Sequence, residues 1–142
     1  MLVDTNILVY AINKDSPKHK QAQKFLKDNQ GYLILAHQNI LETIKVLTHP
    51  RFSQPMKSKP AIKAVLAIAK NCQIIVPKVG TEFITLELIK KLDLAGIRIF
   101  DAYLVATALI NSIDTIATDN IKDFKKFAEI KILNPFSADV AS

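Results

Sequence analysis

Five short apolar runs recur along this chain, each separated from the next by room for one or two helices, and that rhythm constrains the fold more than any other feature. The runs are Leu2 to Asp4, Tyr32 to Ala36, Gln73 to Val76, Asp114 to Ala117 and Ile130 to Leu133. Between them, apolar residues fall three and four apart, the spacing that lines one face of a helix. Helices are expected at about Asn6 to Ile12, from Pro17 to about Asp28, over Asn39 to Leu47, and from about Pro60 to Asn71. Two more are expected from about Thr81 to Leu92 and from Asp101 to about Asn111, with a small turn or helix around Asp123, Phe124 and Phe127. The order β-α-α-β-α-α-β-α-α-β-α-β calls for one mostly parallel sheet with helices on both faces, because helical crossovers return the chain in the same direction. At 142 residues, with no internal repeat, one domain spanning 1–142 is expected.

Local signals refine this plan. Ser16 and Pro17 suit a helix cap and a first helical position. Ile62, Val65, Leu66 and Ala69 predict one buried face, and Phe83, Ile84, Leu86, Leu88 and Ile89 another, leaving Glu82, Glu87, Lys90 and Lys91 for solvent. The stretch from Asp101 is apolar nearly all round and should be a central packed helix. Arg51 to Lys59 is irregular and reads as an arm or lid, with Phe52 and Met56 able to dock. His19, among lysines, is expected to be exposed. Asn134 and Pro135 begin a tail.

Composition bears on compartment and partner. The chain is 49% hydrophobic with three glycines, which excludes disordered and collagen-like classes. One cysteine, Cys72, cannot form an internal disulfide and reads as a small buried hydrophobe, consistent with a reducing compartment. Neither a leader pattern nor an apolar run of membrane-spanning length is seen, so a soluble cytoplasmic protein with no membrane partner is expected. The net charge of +6 is uneven: residues 1–91 hold fourteen bases against six acids, and residues 92–142 five against seven. A basic surface with embedded acids suits a polyanion held by lysine and acted on through a metal, although lysine-rich exposed helices look the same in composition.

The acids stand where the pattern is otherwise apolar or at an element edge. Asp4 ends the first strand, Glu42 sits within an apolar helix face, Asp101 opens the central helix, and Asp119 and Asp123 follow the fourth strand. Asp4, Asp101 and Asp119 each have a plain alternative as helix caps, and Asp123 as a surface acid. Glu42 is mid-helix and cannot be a cap. Clustered carboxylates repel and are costly to desolvate unless a cation compensates, and Mg²⁺ or Mn²⁺ suits an all-oxygen set. One cysteine and three scattered histidines offer nothing to zinc. The chain has no phosphate-cradling G-x-x-x-x-G-K loop and no convincing Ser-His-Asp set.

Four pieces, LVDTNILVY at 2–10, ILETIKVL at 40–47, IFDAYLVATAL at 99–109 and TDNIKDF at 118–124, together resemble the PIN domain family, in particular the VapC-type toxins of prokaryotic toxin–antitoxin pairs. The resemblance implies a three-layer α/β/α sandwich around a mostly parallel sheet of about five strands ordered 3-2-1-4-5. It implies a metal-dependent RNA endonuclease that forms a homodimer and is inhibited by a small antitoxin. By position, Asp4, Glu42 and Asp101 match the first three acids, Asn6 the polar partner of Asp4, and Thr118 the hydroxyl of the fourth motif. Asp119 is expected to complete the set, with Asp123 close behind and Asn120 on the motif itself. The implied metal is Mg²⁺ or Mn²⁺, held by Asp4, Asp101, Glu42 and Asp119 with Asp123 a further candidate, and Lys14, Lys45 and Lys57 are candidates to meet flanking RNA phosphates. The alternatives are a housekeeping RNA-processing nuclease without an antitoxin, and an inactive RNA- or protein-binding module of the same fold. A receiver-like domain, which also gathers acids at strand ends, fits less well because of Glu42.

Overall fold

The computed structural model describes residues 1–137; the last five residues of the expected tail lie outside the described part. Its elements are β1 (Leu2–Val3), α1 (Thr5–Ile12), α2 (His19–Asp28), β2 (Ile34–Ala36), α3 (His37–Thr48) and α4 (Ser58–Ala69). They continue with β3 (Gln73–Ile75), α5 (Thr81–Leu92), α6 (Arg98–Ile110), β4 (Thr115–Ala117), α7 (Ile121–Phe124) and β5 (Lys131–Leu133). The five strands form one sheet in the order β3-β2-β1-β4-β5, and every pairing is parallel. This is the expected α/β/α sandwich with the expected strand order.

Strand alternation divides the core between the two faces. Leu2, Ile34 and Ile116 share a register and point toward α5 and α6, where they pack with Leu88, Ala102 and Val105. Their neighbours Val3, Leu35 and Ala117 point the other way, against Ile7, Leu8 and Ala11 of α1, Ala22 of α2 and Ala69 of α4. A third cluster joins Val9, Leu47, Ala61 and Val65 beneath α4, and Phe52 and Met56 dock on it. The irregular segment that carries them is tethered as well, since the Met56 amide donates to the Leu47 carbonyl at 2.8 Å. Helix α6 is the central helix expected, with Ala102, Leu104, Val105, Ala106, Thr107 and Ala108 all buried.

Several boundaries and faces depart from expectation. Helix α2 begins at His19, because Ser16 and Pro17 form a turn in which the Ser16 hydroxyl accepts from the Lys18 amide. His19 is half-buried, its Nδ1 2.9 Å from the Tyr10 carbonyl. Helix α3 starts two residues early, and the buried Asn39 side chain accepts from the Ala36 amide. Helix α4 buries Ala61, Val65 and Ala69 and leaves Ile62 and Leu66 exposed; small residues let it lie close to its neighbours. Helix α5 buries Thr81, Thr85 and Leu88, while Phe83 and Leu86 are 68% and 58% exposed. The threonine hydroxyls donate to the carbonyls of Lys78 and Thr81, so their methyls can pack without a polar penalty. Among the described residues, no helix is long and apolar enough to cross a membrane.

The register of α5 is directly testable. Leu88→Ala should cost about 2–4 kcal/mol in urea unfolding, whereas Leu86→Ala should stay within about 0.5 kcal/mol. Equal costs would place Leu86 in the core instead.

Candidate functional site

In this sheet the chain winds outward from β1 to β2 and β3, then returns to the centre and winds the other way through β4 and β5. The reversal lies between β1 and β4. Open α/β sheets present a crevice there, beyond the strands' C-terminal ends. Asp4 leaves β1 at this point and Thr118 leaves β4 beside it, while the Asp4 amide donates to the Ala117 carbonyl at 2.9 Å.

Asp4 is only 8% exposed. Its Oδ1 accepts from the Thr5 amide at 2.8 Å, capping α1, and its Oδ2 accepts from the Thr118 hydroxyl at 2.8 Å. The carboxylate therefore caps α1 with one oxygen and meets Thr118 with the other. Thr118 is fully buried, and its hydroxyl also accepts from the Asn6 side-chain amide at 3.2 Å and from the Asn120 backbone amide at 2.9 Å. With one proton given and two received, that hydroxyl is saturated. Asn6 approaches Asp4 at 3.5 Å and accepts from the Asp119 backbone amide at 3.3 Å. Among the described residues, every hydrogen-bond partner of Asp4 is neutral. Burial pushes its carboxyl up to about 6, and the charges of Glu42 and Asp101 add to the effect against the two hydrogen bonds.

Glu42 faces Asp4 from α3. Its Oε2 accepts from the Thr5 hydroxyl at 3.1 Å and its Oε1 from the Gln38 side-chain amide at 2.9 Å. Gln38 also donates to the Phe100 carbonyl at 3.0 Å, which ties α3 to the start of α6. Asp101 comes from the first turn of α6. That helix starts at Arg98, so Asp101 lies inside it and does not cap it. Its Oδ2 accepts from Arg98 Nη1 at 3.2 Å. Burial raises the Asp101 carboxyl, the charge of Asp123 raises it further, and Arg98 opposes both.

The acids after β4 part company. Asp123 pairs with Arg98 and accepts from the Asn120 side chain, and it lines a cavity of about 370 Å³ together with Asp4, Glu42 and Asp101. Asp119 is not among the side chains lining that cavity. Its carboxylate accepts from Lys18 Nζ and, at 3.0 Å, from the Tyr10 hydroxyl. Partial burial works to raise this carboxyl, but Lys18, Tyr10 and Asn134 together bring it below its usual value. Lys18 in turn stands 5.3 Å from the ring centres of Tyr10 and Phe136, which meet edge to face. Asp119 is thus built into a fastening between α1, the entry to α2 and the segment after β5. Of the three lysines expected to meet RNA, Lys45 lines the cavity, whereas Lys14 and Lys57 are exposed elsewhere.

The cavity carries four acids against two bases, Arg98 and Lys45, in a chain of net charge +6. Among the described residues, no three His, Cys, Asp or Glu side chains stand close enough together to hold a metal ion as placed. The donor chemistry nevertheless fits a hard cation: all donors are carboxylate oxygens, one is buried without a cationic partner, and their charges disfavour one another. Sequence reasoning missed Arg98, Gln38 and Thr5. The one available signal was a base three residues before Asp101, and it means something only if the helix has already begun.

Comparison with known proteins is consistent with this geometry. The sequence profile described as the PIN domain matches residues 1–130. The chain is 29% identical over 143 residues to ribonuclease VapC24 of Mycobacterium tuberculosis, a match covering 96% of this chain and 97% of that protein. It shares its fold with VapBC2 of Rickettsia felis, solved bound to a promoter DNA fragment, at a TM-score of 0.70 and 22% identity over 94% of this chain and 96% of the other. It shares it likewise with VapC20 of Mycobacterium tuberculosis, a toxin that cleaves the sarcin-ricin loop, at a TM-score of 0.65 and 16% identity over 91% and 97%.

The burial of Asp4 has a consequence for stability. Its folded value of about 6 lies above the ordinary 3.8, so the folded chain holds this proton more tightly than the unfolded chain. That contribution is complete below about pH 4 and is lost as pH rises through about 6. In EDTA, the stability of wild type relative to Asp4→Asn should therefore fall by up to about 3 kcal/mol between about pH 4 and pH 7. Urea unfolding of both proteins across this range reads the difference, and parallel profiles would remove the buried-carboxylate account.

Proposed function

The chain belongs to the PIN domain family, and from that premise we propose that it is a divalent-metal-dependent endoribonuclease, the toxin of a VapBC-type toxin–antitoxin pair. The observation that carries this reading is the acidic cavity at the sheet's reversal point, set in a basic chain. Its partners under this reading are an RNA substrate, a small antitoxin protein and a second copy of the chain. Leu41, Phe83 and Leu86, all exposed, offer apolar area for protein contacts.

Mg²⁺ or Mn²⁺ would be held by Asp4, Glu42, Asp101 and Asp123. Asp123 takes the place of Asp119 in this set because it lines the cavity and Asp119 does not. The bound ion supplies Lewis acidity for hydrolysis of a phosphodiester bond. The chain's own groups do the rest. Thr118 and Asn6 fix the rotamer of Asp4, Thr5 and Gln38 fix Glu42, and Arg98 and Asn120 hold Asp123 at the cavity. Such pre-set side chains need little rearrangement when charge develops on the substrate. Lys45 at the cavity wall draws in phosphate, a contact that sets affinity and register and not sequence.

The test is cleavage of total cellular RNA by purified protein in Mg²⁺, in Mn²⁺ and in EDTA. Discrete metal-dependent cuts are expected, reduced roughly a hundredfold or more by Asp101→Asn. Asp119→Asn should retain metal-dependent cutting while losing about 1–2 kcal/mol of stability. Folded protein that binds RNA without cutting it in any metal would favour the binding-module reading.

A further inference from the structure

Arg98 is the first residue of α6, and its Nη1 serves two carboxylates from different elements: Asp101 one turn along the same helix, at 3.2 Å, and Asp123 of α7. Among the described residues, no other cation lining the cavity does this. Lys45 lines the wall without an ion pair to these acids, and Asp4 deeper in is met only by neutral donors. Two carboxylates on separate helices repel at this range, and a positive group between them offsets that repulsion. In the structure that positive group is a guanidinium. The Arg98 side chain is 41% exposed, and the neighbouring Ile97 is 73% exposed, so the long stem has open solvent to swing into.

We propose that Arg98 is a resident counterion of this site, holding Asp101 and Asp123 at the cavity while no metal is bound and yielding them when a divalent ion enters. The inference rests on the reading of the cavity as a metal site. It accounts for how Asp101 and Asp123, on separate elements, come to face one cavity: both carboxylates meet the same guanidinium nitrogen, Nη1. It also makes Arg98 a positioning residue with two opposed effects. It pre-sets two ligands, and it competes with the ion for them. A methionine there keeps much of the stem volume and removes the charge, so the competition ends while the helix start is preserved. Lysine retains a charge but not the fork, and should sit between the two.

The experiment is Mn²⁺ binding to the full-length protein, read by electron paramagnetic resonance of free Mn²⁺, for wild type, Arg98→Met, Arg98→Lys and Asp101→Asn. Arg98→Met should bind Mn²⁺ on the order of tenfold more tightly than wild type, with Arg98→Lys between, and Asp101→Asn should bind far more weakly. Metal-free Arg98→Met should also melt below wild type, with the gap narrowing when Mn²⁺ is present. Binding by wild type that is unchanged or weakened in Arg98→Met overturns the counterion role and leaves the metal site standing. Absence of binding in every protein overturns the metal reading and this proposal with it. Wild-type protein gives an independent measurement should the variants fold poorly: the Arg98 side-chain NεH resonance should shift as Mg²⁺ saturates the site, and a resonance that stays put overturns the proposal.

Discussion

The carboxylate of Asp4 is the group on which the rest of this site depends. It is buried at the junction of two strands that the chain reaches more than a hundred residues apart, and the hydrogen bond from the Thr118 hydroxyl ties its side chain across that separation. A charge in such a place is held by neutral donors alone, and that costs free energy which the fold recovers from the well-packed strands on either side. The same junction is where the winding of the sheet reverses, so the crevice and the charge arise from one topological fact. Helices α1 and α3 set out from the C-terminal ends of β1 and β2, and α6 begins near those ends before running back toward β4. Glu42 and Asp101 reach the crevice from opposite layers for this reason.

Neutral and ionic restraint are divided across the site. On the α1 and α3 side, hydroxyls and amides do the holding: Thr5, Asn6, Gln38 and Thr118. On the α6 and α7 side a guanidinium does it. Neutral donors satisfy an acceptor without cancelling its charge, so the first side stays electron-rich. The second side sets one guanidinium, 41% exposed, against two carboxylates and is only partly neutralised. Behind both, Lys18, Tyr10, Asp119 and Phe136 form a separate fastening that brings the segment after β5 against α1. Asp119 and Asp123 differ by four positions and by one helix start, yet one belongs to the fastening and the other to the cavity.

Much of this was legible in the sequence. The apolar runs and the helical spacing between them determined the element order and a parallel sheet, because period-two and period-3.6 patterns are local properties. Leu2, Val3, Ile34, Leu35, Ile116 and Ala117 are strand core as their runs implied. The out-of-place acids Asp4, Glu42 and Asp101 were visible because charge breaks an apolar pattern, and their convergence in one cavity follows from the strand order. Resemblance to the PIN domain family supplied that order, which periodicity alone does not.

What only the tertiary structure decided concerns helix faces and partners. The sequence places Phe83 and Leu86 among apolar neighbours, but the sheet takes the face carrying Thr81, Thr85 and Leu88, since threonine can bond to its own helix and pack its methyl. The start of α6 at Arg98 turned Asp101 from a candidate cap into a side chain within a helical turn. Asp119 pairs with Lys18, about a hundred residues earlier in the chain, and Asp123 with Arg98 on another helix, partners that no local pattern reveals. Local chemistry determined which residues carry charge. Distant packing decided which charges meet, because ion pairing is set by spatial approach and not by position along the chain.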